Sequence, residues 1–165
     1  MDNYDSLQDT LNHIDKVAYI LELICHKLYE RGKKHDNSKT KEPEKPIFDE
    51  YTPKLKNCTY NSDEYKKYLG EMGIALKHHY KNNRHHPEYF ENLITDMTLV
   101  DLIEMLCDWK AATLRHNDGD ILKSIEINQK RFGYSDELKQ IFLNTVNDDF
   151  NEIDDRVINN LNNPK

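Results

Sequence analysis

Residues 5–31 read DSLQDTLNHIDKVAYILELICHKLYER, and apolar side chains fall at Leu7, Leu11, Ile14, Ala18, Leu21, Cys25 and Leu28. Steps of four and three place all of them on one face of a helix. The spacing predicts a long helix over Asp5–Arg31, with Ser6 and Asp9 as a capping pair and Gly32 as its stop. The rest of the chain reads in the same way. Residues 40–61 hold Pro43, Pro46 and Pro53 amid dense charge and are expected to form a mobile loop with at most short helical turns. Ser62, Asp63 and Glu64 read as a helix start, followed by a stripe of Tyr65, Leu69, Met72, Leu76 and Tyr80. Gly70 and Gly73 weaken that helix or allow close packing.

Pro87 disfavours helix at His86, so a boundary is expected there. Thr98 is a good cap for a helix carrying Leu99, Leu102, Ile103, Leu106 and Trp109, ending near Arg115 before a turn at Asn117, Asp118 and Gly119. Two more helices are expected, one from Asp120 to Arg131 stopped by Gly133 and one starting at Ser135; residues 160–165 should fray. There is no strand alternation, internal repeat or glycine-rich phosphate loop. The expectation is an all-α, single-domain bundle of about six to eight helices over residues 1–165.

A chain of 165 residues fits one domain. Lys and Arg number 23 against 30 Asp and Glu, and the resulting charge of −7 argues against bulk binding of nucleic acid or of an anionic membrane. With no apolar run of about 18 residues and no basic start before an apolar block, a soluble cytoplasmic protein is expected. Cys25, Cys58 and Cys107 are odd in number and lack a C-x-x-C pair, which fits reduced thiols used as core fillers. Composition leaves eight histidines to be explained.

The sharpest chemical feature is Lys34-His35-Asp36-Asn37-Ser38-Lys39, directly after the first helix. An adjacent His and Asp offer a nitrogen and a carboxylate able to bridge two metal ions. His13 lies upstream, and His79, His85, His86 and Asp108 follow, each from a predicted helix or helix end. His79 and Asn83, four apart, share a helix face. Asp101, Glu104 and Asp108 share another. Of these Asp108 is favoured as a ligand, because an unpaired carboxylate deep in an apolar helix is costly to bury. His26 and His116 read as ordinary surface or packing residues and His78 as the non-ligand neighbour of His79. Trp109, Tyr65, Tyr68 and Tyr80 read as core, and Arg31, Lys33 and Lys34 as a solvated basic run.

The ordered set His13, His35-Asp36, His79, His85 or His86, and Asp108 resembles the HD-domain superfamily of metal-dependent phosphohydrolases, with ligands H…HD…D on a helical bundle. H-D-x-S-K at 35–39, H-Y-x-x-N-x-H-H-P-E at 79–88 and E-M-L-C-D-W at 104–109 look most like an uncharacterised HD-like family of bacteria and their phages. The resemblance implies one or two divalent ions (Mn, Fe, Zn, Co or Ni) held by His13, His35, Asp36, His79, His86 and Asp108. It makes Asp36 and Lys39 the catalytic pair, Lys39 facing the substrate phosphate. Asn83, Arg84 and His85 become substrate contacts, although His85 and His86 can exchange roles, and Glu104 orients a ligand histidine. The implied substrate is a small phosphoester, a nucleotide or cyclic nucleotide, attacked by metal-activated water. Two alternatives stand beside it: an HD-type diiron oxygenase, and a non-catalytic metal- or nucleotide-binding module. A homodimer is left open.

Overall fold

The computed structural model describes residues 4–59, 61–114 and 119–150. Among them the chain is all-helical: seven α-helices and three short 3₁₀ turns, with no strand. None of these helices is long and apolar enough to cross a membrane. Contacts divide the chain into two units, Met1–His35 and Asp36–Lys165.

The first unit holds a single helix, α1 (Leu7–Lys34), of 28 residues. The expected capping pair does not form: Ser6 makes no side-chain cap bond, and Asp5 accepts from the Leu7 N–H instead, at 2.9 Å. Nor does Gly32 stop the helix. Lys33 and Lys34 continue it, cations at the negative end of the helix dipole. The left-handed residue that turns the chain is Asp36, at φ 56; aspartate is among the few side chains that tolerate this conformation.

The second unit begins with a 3₁₀ turn at Asn37–Thr40 and then α2 (Glu44–Lys56). This helix occupies the segment expected to be a mobile loop. Pro43 sits at its N-cap and Pro46 in its first turn, where the backbone N–H has no helical partner to lose. Pro53 forfeits one bond near the other end. The prolines therefore mark a helix start, where composition alone suggested irregular chain.

The helix expected from Ser62 to the histidines is two helices, α3 (Asp63–Glu71) and α4 (Gly73–Asn82). Ser62 caps the first, accepting from the Tyr65 N–H. The break falls at Met72, which is wholly buried. After α4 the chain makes a turn from Asn83 to His86, closed by the His86 N–H on the Asn83 carbonyl at 3.2 Å, and enters a 3₁₀ turn at Pro87–Tyr89, the boundary that Pro87 predicts.

A second 3₁₀ turn, Leu93–Asp96, leads to α5 (Leu99–Thr113). Thr98 and Asp101 close a reciprocal capping box on it. Then follow α6 (Ile121–Phe132), capped by Asp120 and ended by Gly133 at φ 67, and α7 (Asp136–Asp148), capped by Ser135. The expected end at Arg115, His116, most of the 117–119 turn and the tail at 160–165 lie outside the described residues.

Helices α5, α6 and α7 enclose the apolar core of this unit, in which Met105, Leu106, Ile125, Tyr134, Phe142 and Val146 are buried. Phe142 meets both Trp109 and Tyr134 edge to face. The Tyr134 hydroxyl donates to the Ile125 carbonyl at 2.6 Å, so its polar end is satisfied inside the core. Trp109 packs on this core, as its place in the apolar stripe predicts. Cys58 is buried, whereas Cys25 and Cys107 are exposed free thiols and fill no core.

Candidate metal centre

Three segments of the second unit bring nitrogen and oxygen ligands together. The left-handed Asp36 aims its carboxylate inward from the chain before the first 3₁₀ turn. His79 comes from the inner face of α4, and His85 and His86 from the turn before Pro87. One atom from each of Asp36, His79, His85 and His86 lies within 4.8 Å of all the others, forming a group that could hold a metal ion.

The separations suit such an ion. His79 Nε2 and His86 Nε2 are 2.9 Å apart. Asp36 Oδ1 stands 3.2 Å from His79 Nε2 and 3.4 Å from His85 Nε2. Ligands about 2.1 Å from a shared centre stand roughly 3.0 Å apart at octahedral angles and roughly 3.4 Å at tetrahedral ones. Two ring nitrogens at 2.9 Å also need something between them, a proton or a cation, because facing lone pairs repel. Three imidazoles and a carboxylate, without thiolate, match the ligand preferences of Mn, Fe, Co, Ni or Zn.

The candidate ligand imidazoles lie largely out of solvent. His79 and His85 are each 2% exposed. The pKa of His86 is pushed down to about 2, first by burial and then by the neighbouring His85 and His79 rings. His86 is thus neutral at any ordinary pH, with a lone pair to offer. His85 and His86, which the sequence left as exchangeable, both enter the group. His85 therefore stands among the ligand atoms, where the sequence reading had it touching substrate: its Nε2 points at Asp36 and its Nδ1 lies 3.3 Å from Glu104 Oε1.

Other residues singled out from the sequence fall as follows. Lys39 pairs with Asp36 Oδ2 at 2.6 Å and stands 4.9 Å over the Phe48 ring. Asp108 is half-buried on α5, with a carboxylate oxygen within 4.8 Å of a His85 ring nitrogen. His35 caps α1 as the last residue of the first unit, and His13 is exposed on α1 in that same unit. Asn83, read as a substrate contact, is instead buried, and its amide donates to Ser38 Oγ and to the His79 carbonyl, both at 2.8 Å. Arg84, read the same way, turns instead to Asp101, donating from Nε at 3.2 Å and from the guanidinium NH₂ at 3.0 Å.

Asp101 is wholly buried and also accepts from the Thr98 N–H and hydroxyl, at 2.9 and 2.7 Å. Its carboxylate is the N-terminal anchor of α5, which explains a buried charge that serves as no ligand. Asp101→Ala should lower stability by about 3 kcal/mol, from a lost cap and lost charge-assisted bonds, as read by urea denaturation.

Two features escaped the sequence reading. One is Glu44, wholly buried at the start of α2 and bonded to both His78 and His79. Its signal was the pair of flanking prolines, which open a helix as readily as they mark a loop. The other is a cavity of about 440 Å³ beside the ligands, lined by Lys39, His79, His86 and Asp108 and further out by Trp109 and Arg131. Arg131 is held at its rim by Glu88 at 2.5 Å.

The second unit is thus a helical scaffold carrying a His/Asp group able to take a metal beside an open cavity. The chain matches, over residues 2–160, the family of unknown function DUF5662, and it belongs to that family. No curated protein and no solved structure matches it.

Proposed function

We propose that the protein is a metal-dependent phosphohydrolase acting on a small phosphoester, a nucleotide or cyclic nucleotide. The observation that carries this reading is the convergence of Asp36 Oδ1 with ring nitrogens of His79, His85 and His86 at one side of the cavity. A divalent ion held by these four residues would supply an acidified water and a Lewis acid for a phosphoryl oxygen.

The chain's own groups divide the remaining work. Lys39, held at the cavity by Asp36 and by the Phe48 face, places a cation beside the ligand group, where charge gathers on a transferring phosphoryl. Lys56, Lys66 and Arg131 add cations to the same cavity and suit further phosphates. Phe48, Tyr65 and Trp109 line it as aromatic walls, the surface on which a base stacks. A volume of about 440 Å³ falls in the range of small-molecule sites.

The test is metal content and phosphate release from a nucleotide panel, for the wild type and Asp36→Asn. Asparagine keeps the shape and tolerates the left-handed backbone of residue 36, so the variant should stay folded. The expected result is about one or two divalent ions per wild-type chain, lost together with phosphate release in the variant. Metal bound without release of phosphate from any nucleotide would overturn the hydrolase reading and leave a binding module. No metal bound by folded, supplemented wild type would end the reading altogether.

A further inference from the structure

Ser38, Glu44, His78, His79 and Asn83 form one connected hydrogen-bond network behind the candidate ligands, although they come from the first 3₁₀ turn, α2, α4 and the residue that ends α4. Glu44 is its hub. Oε1 lies 2.6 Å from His78 Nδ1, and Oε2 lies 2.9 Å from both His79 Nδ1 and Ser38 Oγ. A carboxylate is acceptor-only, so each imidazole facing it bonds through an N–H. Ser38 in turn receives the Asn83 amide at 2.8 Å. One set of directions satisfies the network: Asn83 donates to Ser38 and to the His79 carbonyl, Ser38 to Glu44, and both histidines to Glu44, with the Asn83 amide nitrogen and Ser38 Oγ standing 3.0 and 3.1 Å from the same His79 Nδ1.

We infer that Glu44 is a positioning residue: its carboxylate holds His79 as the Nδ1–H tautomer, leaving the Nε2 lone pair directed at the ligand group. The inference rests on the metal reading of that group and adds to it the device that presents one ligand. A neutral imidazole carries a single N–H, so fixing the proton on Nδ1 is the same act as freeing Nε2. The geometry agrees, since His79 Nε2 is the atom that approaches Asp36 and His86. Burial explains why a glutamate serves here. At 0% exposure, Glu44 is tolerated only because three donors satisfy it, and those donors are then held as firmly as the acceptor. His78 supplies one of the three from a half-exposed position. The two consecutive histidines thus both belong to the centre, His79 as candidate ligand and His78 as a donor to its anchor. His78 is the non-ligand neighbour of His79 that the sequence predicts, with a contact to the shared glutamate that the sequence does not show.

The test separates the tautomer from the metal. In metal-free wild type, long-range ¹H–¹⁵N spectra of the imidazoles should show His79 as the Nδ1–H form. Glu44→Gln keeps the size but lets an amide N–H face Nδ1, so His79 should move towards the Nε2–H form. Zn²⁺ titrated into that folded variant should bind about 10- to 100-fold more weakly than into wild type, the usual cost of losing such a partner. A merely structural glutamate would change the melting temperature and leave the tautomer alone. The inference is overturned if wild-type His79 carries its proton on Nε2, or if Glu44→Gln binds Zn²⁺ as tightly as wild type. Should Glu44→Gln fail to fold, the wild-type spectrum still decides. Should wild type bind no Zn²⁺, the functional reading falls, and the tautomer result stands or falls by itself.

Discussion

His79→Ala should abolish metal binding and lower the melting temperature together. The imidazole supplies Nε2 to the ligand group and Nδ1–H to the wholly buried Glu44. Losing a partner that merely orients a ligand weakens metal affinity about 10- to 100-fold, so losing the ligand itself should cost more than about 100-fold. Glu44 would keep His78 and Ser38 but lose its third donor. A buried acceptor short of a bond costs about 1–3 kcal/mol. Isothermal titration with Zn²⁺ and a thermal melt of the same sample read both effects. If the variant binds Zn²⁺ like wild type, His79 is no ligand.

Phe142→Ala should give the largest loss of stability while sparing the centre. Phe142 is 3% exposed and lies among Met105, Leu106, Ile125 and Val146, with edge-to-face contacts to Trp109 and Tyr134. Truncating a buried phenylalanine costs about 3–5 kcal/mol, because the surrounding rings cannot close the cavity. None of the ligand residues belongs to this core cluster. Urea denaturation should therefore show the midpoint falling, with metal stoichiometry unchanged in the protein that remains folded. A loss of metal equal to that of His79→Ala would show that core and centre are one cooperative unit.

These two variants contrast because the second unit keeps its apolar core and its polar centre on different elements. Helices α5 to α7 supply the core. Asp36, α4 and the chain before Pro87 supply the ligands. Asp101 ties the two together, capping α5 while receiving Arg84 from the residue next to His85. The ion pair sets Arg84, the residue before His85, against the first turn of α5, and the second turn of that helix carries Glu104 to within 3.3 Å of His85 Nδ1.

Period and caps were enough, in the sequence, to establish an all-helical chain. The three-and-four spacing before Gly32, Thr98 and Ser135 as caps, and Gly133 as a stop are local signals, and local backbone energetics decide them. The histidines of the centre were legible for a related reason. Buried nitrogen and oxygen ligands need particular residue types, and the clustered histidines and the His35-Asp36 pair point to Asp36, His79 and His86, although the same reading adds His13, His35 and Asp108 and gives His85 to the substrate.

Tertiary structure alone decided the rest. The prolines of 43–53 look the same in a loop and in the first turn of a helix, and only packing of α2 against its neighbours selects the helix. Glu44 gained its role the same way, since the sequence separation from His79 hides a contact of 2.9 Å. Asp101, Glu104 and Asp108 share one helix face by spacing, and what separates them is the partner each meets: Arg84, His85 Nδ1, and the cavity. Periodicity reports which face of a helix is turned inward. Which acceptor meets which donor there depends on where the other helices lie, and a helix's own repeat carries no record of that.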